Sequence, residues 1–369
     1  PQPPDAIVGY MDFPVSTLLP LLAQKAGLPA LGLEAMLKCE HKYWSRLEQH
    51  KVVPEAIPDF QLVDPFEEAP LEQLELPFPF WLKPVKSAGS YLGFRVENET
   101  DFANAIAEIR EHIHRFAEPF DRILEHIDLP PEIASVGGHY CLAEELLVGD
   151  MCTLEGYVHN GEVHVHGVVD SVREPASSSF ASYQYPSRLP DAVQQRMESV
   201  ARRVLKQIGF DRSAFNMEFF WDLQRDEISL LEINTRIAQH HSDLFQKVHG
   251  VSNHHVAVEI ALGKDPHLPH GQGEFACAGA FWLRKHDDAW VEKVPSEADL
   301  AAISKEFPGT FVELEVKPGM WLSELNDQDS YSYVIALIYV GARDHRELEE
   351  RYQTIVERLP FDLRSGPGA

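Results

Sequence analysis

The residues best suited to chemistry lie in two short runs, Phe215-Asn216-Met217-Glu218-Phe219-Phe220 and Leu230-Leu231-Glu232-Ile233-Asn234-Thr235-Arg236. In a strand, residues two apart share a face. Glu232, Asn234 and Arg236 therefore point one way, and Leu231 and Ile233 the other. A turn over Gln224-Arg225-Asp226 makes the two runs a hairpin and sets Glu218 opposite Glu232. Directly opposed side chains have Cβ atoms about 5 Å apart, where like charges repel. Two carboxylates among large apolar neighbours need a cation or a raised pKa. Two carboxylates and one amide supply oxygen ligands that suit Mg²⁺ held together with substrate phosphates. The same runs also fit a solvated polar strand face in a slipped register, and the pattern alone leaves both readings open.

The rest of the chain must position this hairpin. Asp5–Tyr10 reads as a strand, Val15–Ala26 as a helix stopped by Gly27, and Leu28-Pro29-Ala30-Leu31 as a second strand, together one β-α-β unit. Leu33–Lys51 is helical, and Pro54, Pro58, Pro65, Pro70, Pro77 and Pro79 mark a linker into a new lobe. Phe80–Val85 and Phe94–Val96 are strands around the Gly- and Ser-containing turn Ser87–Gly93. Glu99–Ile127 is a long helical stretch with a break expected at Pro119. Strands follow at Tyr140–Leu147 and Met151–His159, then at Glu162–Val169 after the hairpin dipeptide Asn160-Gly161. Asp191–Ile208 is a helix ended by Gly209. The tail carries strands at Thr310–Val316 and Tyr333–Val340 and a charged helix at Asp344–Leu359. The expected class is α+β, with mixed, largely antiparallel sheets and helices on one face.

Composition narrows the partners. The 369 residues are 44% apolar and 24% charged, an ordinary globular balance. The net charge of −26 disfavours nucleic acid, whose phosphates need clustered Lys and Arg, and disfavours an anionic membrane. The apolar run near Tyr333–Ala342 is too short to span a bilayer. Cys39, Cys141, Cys152 and Cys277 form no C-x-x-C pair, and sparse cysteine fits a reducing, cytoplasmic setting. The eighteen histidines include His164 and His166 on one strand face, but no third ligand stands at a zinc spacing. His240 and His241, close behind Arg236, are placed to line an acceptor pocket. Gly89 and Gly93 let a backbone approach phosphates, and Ser87 and Ser90 add donors. This is no Walker A loop, because Phe94 follows Gly93. Lys86 reads either as a phosphate contact or as a solvated charge.

Asn216-x-Glu218 followed by Leu231-Glu232-Ile233-Asn234-Thr235-Arg236 resembles the metal-binding hairpin of the ATP-grasp superfamily, with Thr235 where Pro is usual. Other elements of that family occur in order. Cys39-Glu40-His41-Lys42 with Arg46 is similar to the helix start that supplies a first nucleotide-contacting lysine, which selects Lys42 over Lys38. Trp81-Leu82-Lys83-Pro84-Val85 resembles the strand with the second lysine. Ser87-Ala88-Gly89-Ser90-Tyr91-Leu92-Gly93 resembles the phosphate-covering loop. Ala143-Glu144-Glu145-Leu146-Leu147 then Gly149 resembles the hinge that frames adenine. Many members carry Glu two residues beyond that glycine, where this chain has Met151, with Asp150 the nearest carboxylate.

The resemblance runs from about residue 5 to about residue 260. It implies an ATP-grasp fold, two α+β lobes with ATP between them, preceded by a partial pre-ATP-grasp α/β unit. It implies a pre-ATP-grasp remnant at 1–38, a connecting helix and linker at 39–78, a small lobe at 79–147, a large lobe at 148–262 and its C-terminal part at 263–369. Glu218, Glu232 and Asn234 are then the ligands of Mg²⁺ (or Mn²⁺). Lys42, Lys83, Ser87, Gly89, Ser90, Glu144, Glu145 and Leu147 hold ATP, and Arg236, Lys83 and Arg173 serve the reacting groups. The implied activity is that of an ADP-forming carboxylate–amine ligase acting through an acyl phosphate. The expected partners are small-molecule carboxylate and amine substrates, and a homodimer is compatible with them. A carboxylase, a kinase-type member and a non-catalytic nucleotide-binding module are the alternatives. Paired metal carboxylates argue against the last, since a sensor does not need them.

Overall fold

In the computed structural model, which describes residues 3–174, 179–326 and 332–365, the first helix forms at Val15–Ala26 (α1). Gly27 ends it at a φ of 69°. The flanking segments expected as strands, 5–10 and 28–31, form no strand. Neither has a ladder partner among the described residues, and strands persist only where their backbone groups are paired. The helix expected over 33–51 is two helices, Leu33–Glu40 (α2) and Lys42–Val52 (α3). The break is His41, which is extended at ψ 96° and caps α3. Its Nδ1 accepts the Trp44 N–H at 3.1 Å and its Nε2 donates to the Val136 carbonyl at 3.0 Å.

A four-stranded antiparallel sheet follows. It comprises Phe60–Val63 (β1), Phe80–Pro84 (β2), Phe94–Val96 (β3) and, after helices Glu99–His112 (α4), His114–Leu124 (α5) and Pro131–Ala134 (α6), Cys141–Glu145 (β4). The order is β1-β4-β2-β3. Strand β1 lies inside the Pro-rich stretch read as a linker, so part of that stretch is sheet. The helical region breaks at Ile113, and Pro119 is carried inside α5, where it only removes the donor to the Arg115 carbonyl. Phe80, Leu82 and Val96 pack against Phe102, Ile106 and Ile109 of α4.

The larger sheet has eight strands in the order β12-β13-β10-β7-β6-β5-β8-β9, every neighbour antiparallel. In chain order its parts are Asp150–His159 (β5), Glu162–Arg173 (β6), Phe180–Tyr185 (β7), helix Asp191–Ile208 (α7), Ser213–Asp222 (β8) and Glu227–Asn234 (β9). Helices Ser242–His249 (α8) and Asn253–Ala261 (α9) precede Cys277–Lys285 (β10), Ala289–Lys293 (β11), helix Glu297–Glu306 (α10), Phe311–Leu314 (β12), Tyr333–Ala342 (β13), helix His345–Arg358 (α11) and Asp362–Ser365 (β14). Strands β11 and β14 form a separate pair. Met197, Val200, Ala201 and Val204 of α7 bury one face of β5, β8 and β9 through Leu154, Met217, Phe219 and Ile233. Among the described residues no helix is long and apolar enough to cross a membrane.

The two sheets are joined at Gly149, between β4 and β5. Its φ is 112°, and a Cβ there would sit 2.1 Å from the Trp221 carbonyl oxygen. That backbone belongs to the ladder between β5 and β8 and cannot give way cheaply. Gly149→Ala should therefore lower unfolding free energy by at least about 1–3 kcal/mol. Urea denaturation of the two proteins checks this, and an unchanged midpoint contradicts it.

Candidate active site

The large sheet arranges the site residues in rows across its strands. Asn216 pairs with Asn234, and Glu218 with Glu232, in the β8–β9 ladder. Glu155 pairs with Asn216, and Thr153 with Glu218, in the β5–β8 ladder. One residue further along β9 the register shifts by a bulge, so Phe219 pairs with Leu230 and Leu231 is the extra residue. The hairpin register expected around Glu218 and Glu232 thus holds at the site and slips toward the turn. The opposed carboxylates titrate apart. Burial and then Glu232 push Glu218 up to about 8. Burial also works against charge on Glu232, but Lys42 and Lys83 outweigh it and hold its pKa below the ordinary value. Asn234 Nδ2 donates to Glu218 Oε1 at 3.1 Å and to Asn216 Oδ1 at 3.3 Å.

Helix α3 approaches the outer edge of β9 and brings Lys42 and Arg46, four residues apart on one face. Lys42 Nζ lies 3.7 Å from Glu232 Oε2 and donates to the Ser87 carbonyl at 3.3 Å. Arg46 is 1% exposed. Its Nε donates to Glu144 Oε1 at 2.6 Å, and its Nη atoms donate to Gln49, to the Leu230 carbonyl at 3.0 Å and to the Leu231 carbonyl at 2.7 Å. Consecutive carbonyls of a regular strand point to opposite edges, and the bulge is what brings both toward one guanidinium. On β2 and β4, Lys83 and Glu144 are diagonal neighbours, with Nζ 2.5 Å from Oε2. Burial lowers the Lys83 pKa, against the pull of Glu144. The Glu144 carboxylate is thus held by the cationic pair. Lys38 instead pairs with Glu34 at 2.7 Å.

The remaining expected residues divide into two groups. Gly89, at φ 59°, and Ser90, at φ 59°, form the left-handed bend of the loop that follows Lys83, and Ser87 is tied to it through Lys42. The Glu145 N–H is spent on the Asp59 carbonyl at 2.9 Å, and Leu147 lies in the extended connection before Gly149. Arg173 lies over the Phe220 ring at 5.1 Å and donates to Met151 Sδ at 3.0 Å. Burial lowers its pKa, against the attraction of Glu218. Arg236 is clamped by both oxygens of Asp12, at 2.6 and 2.7 Å. Lys86 is neither a solvated charge nor free for phosphate. It is 2% exposed, pairs with Glu40 and lies 5.2 Å from the Phe13 ring centre.

Four residues near the site carried no sequence signal. Tyr183 of β7 pairs with Ser171, on the row facing Arg173, and interacts electrostatically with Glu218, Arg236 and Arg173. Its ring meets Trp282 of β10 at 4.8 Å and His241 at 4.7 Å. Trp282 in turn faces His240 at 5.3 Å. Asp12 and Glu155 complete the set. Only strand parity could have flagged Glu155, the one acid within the predicted strand Met151–His159.

Among the described residues, no group of three His, Cys, Asp or Glu side chains could hold a metal alone. Glu218, Glu232 and Asn234 do fit a hard divalent cation that draws its other oxygens from a phosphate substrate. Burial, and after it Glu232, disfavour charge on Glu218, and a bound cation would offset both.

Glu144 offers a test of the cluster. Burial alone would raise its pKa, but Arg46 and then Lys83 overcome that and hold it at about 2, below the ordinary 4.5. Its ionised form therefore stabilises the fold above pH 4.5, and this contribution is lost as pH falls toward 2. Glu144→Gln should cost about 3–5 kcal/mol at neutral pH, since two buried cations lose their counter-charge. It should also flatten the acid side of the stability curve. Chemical denaturation across pH 2 to 7 measures both effects, and parallel curves would refute the assignment.

The chain resembles known proteins in the same terms. Residues 76–243 match the family described as the ATP-grasp domain. An L-amino acid ligase from Bacillus licheniformis superposes with a TM-score of 0.71 at 14% identity, over 97% of this chain and 80% of that one. A biotin carboxylase–beta-gamma-ATP complex from Campylobacter jejuni gives 0.68 at 15%, over 98% and 76%. The biotin carboxylase domain of a 2-oxoglutarate carboxylase from Hydrogenobacter thermophilus, in complex with MgADP, ADP and bicarbonate, gives 0.65 at 15%, over 95% and 72%. No curated protein matches the sequence. The matched segment and the two-sheet architecture together give this chain an ATP-grasp domain at residues 76–243 and the ATP-grasp fold.

Proposed function

We propose that the protein is an ADP-forming ligase that joins a small-molecule carboxylate to an amine at the expense of ATP. The observation that carries this reading is the row Glu218–Glu232 with Asn234 beside it, facing Lys42 and Lys83. Glu218, Glu232 and Asn234 would hold Mg²⁺, or Mn²⁺, which supplies charge neutralisation at the phosphates when bound. Lys83 and Lys42 would bind phosphate oxygens, exchanging their present carboxylate partners for the nucleotide. The loop at Ser87, Gly89 and Ser90 would cover those oxygens with backbone N–H groups. Glu145 and Leu147 would frame adenine. Arg46 fixes Glu144, and Glu144 in turn holds Lys83 ready.

At the other end of the row, Arg236 and Arg173 flank Glu218, and both are candidates to hold the substrate carboxylate. Such an oxygen would attack the γ-phosphorus, giving an acyl phosphate and ADP. The amine would then attack the acyl carbon, an amide bond would form, and phosphate would leave. The chain's contribution is orientation and charge, the main needs of phosphoryl transfer. His240, Trp282 and Tyr183 would line the acceptor side. A homodimer is compatible with this scheme, and a cytoplasmic setting supplies both ATP and Mg²⁺.

Carboxylation is the second reading, favoured by the similarity to two biotin carboxylase structures. The two are separated by product. With a panel of amino acids as acids and amines, ADP and phosphate should be released, and ¹⁸O from the carboxylate should pass into the phosphate. Glu232→Gln should lower turnover by about 10²–10³-fold. AMP as product, or phosphate without label, contradicts the ligase. ADP release that depends on bicarbonate and biotin, with no amino acid needed, favours the carboxylase.

A further inference from the structure

Behind the proposed cation site lies a chain of polar groups sealed from solvent. Glu155 is 0% exposed and Asn216 3%. The Glu155 carboxylate accepts from His241 Nδ1 at 2.8 Å, from Asn253 Nδ2, and from Asn216 Nδ2 at 3.3 Å. Asn253 is itself fixed, because its Nδ2 also donates to the Ala238 carbonyl at 3.0 Å and its Oδ1 accepts from Ser242. Glu155, Asn216 and Asn234 stand in one row across β5, β8 and β9.

We infer that Glu155 is a positioning residue that sets which end of Asn234 faces the cation. This rests on the reading of Glu218, Glu232 and Asn234 as the cation site. A carboxylate has no hydrogen to give, so every neighbour must donate to it. Asn216 therefore turns its NH₂ toward Glu155 and its carbonyl oxygen toward Asn234. Asn234 must answer with its own NH₂, which bonds Asn216 Oδ1 and Glu218 Oε1. Its Oδ1 is left for the cleft. Without the acid at Glu155, Asn216 can turn its NH₂ toward Asn234, which must then either set NH₂ against NH₂ or turn its Oδ1 toward Asn216 and present N–H groups to the cation, against the pull of the Glu218 carboxylate. An amide has two nearly isosteric orientations, and only its partners choose between them.

The test uses the full chain, with Mn²⁺ as probe and ADP present, read by electron paramagnetic resonance. Glu155→Gln, which brings its own NH₂, should weaken Mn²⁺ binding by about 10–100-fold, the range for partners that orient metal ligands. Glu155→Asp should recover part of the loss. The same Glu155→Gln change in an Asn234→Ala background should alter Mn²⁺ affinity by less than about twofold, since the group it orients is gone. An equal loss in both backgrounds, or no loss with Asn234 present, overturns the inference. Should Glu155→Gln not fold, Asn216→Ala cuts the chain while keeping Glu155, and the same contrast applies. Absence of Mn²⁺ binding by the unaltered protein would remove the cation site itself. Binding that Glu232→Gln abolishes and Glu155→Gln leaves intact would remove only the role of Glu155.

Discussion

A single buried guanidinium holds the two sheets in register. Arg46 reaches β4 through Glu144 and β9 through two carbonyls, and it comes from neither sheet. A cation out of water is costly unless every donor is met, and here the partners are a carboxylate, an amide and two backbone oxygens. The edge of β9 would otherwise present unpaired carbonyls, so the arginine covers the strand edge as it is itself neutralised. The cost of separating these partners fixes where α3 can lie. It also fixes Lys42, one turn before Arg46, against Glu232.

The site is otherwise a product of strand parity. Antiparallel pairing places Thr153, Glu218 and Glu232 in one row and Glu155, Asn216 and Asn234 in the next. The opposite face of the same strands is apolar and packs on α7. Polar chemistry on one face and α7 on the other are two consequences of one alternation. Glu218 and Glu232 stand on the edge pair β8–β9, where burial and the charges around each move their pKa values apart.

Local signals in the sequence were legible, and long-range ones were not. The Gly-terminated helices α1 and α7 and the Asn160-Gly161 hairpin follow from nearby residues alone. So does the pairing of Glu218 with Glu232, because a hairpin is closed by its own turn. The break at His41 was hidden because its cap also depends on Val136, 95 residues away. Glu155 and Asn216 are 61 positions apart, and Arg236 and Asp12 are 224 apart. Strand β1 was masked by the prolines around it, since its ladder is with β4, far along the chain. The flanks of α1 had the composition of strands but, among the described residues, no ladder partner.

The extra residue at Leu231 also works as a frame marker. On the turn side of it, Leu230 faces the core opposite Phe219, and beyond it Glu232 and Asn234 face the cleft. Loss of one residue from the exposed turn would be taken up locally and leave the parity of both segments alone. Loss of residue 231 would set Leu230 next to Glu232, restore plain alternation and leave every side chain on its present face, but it would straighten β9 and withdraw one of the two carbonyls that Arg46 holds. Length at the middle of this hairpin is thus set by the guanidinium that clasps the bulge, and not by the parity of the strand.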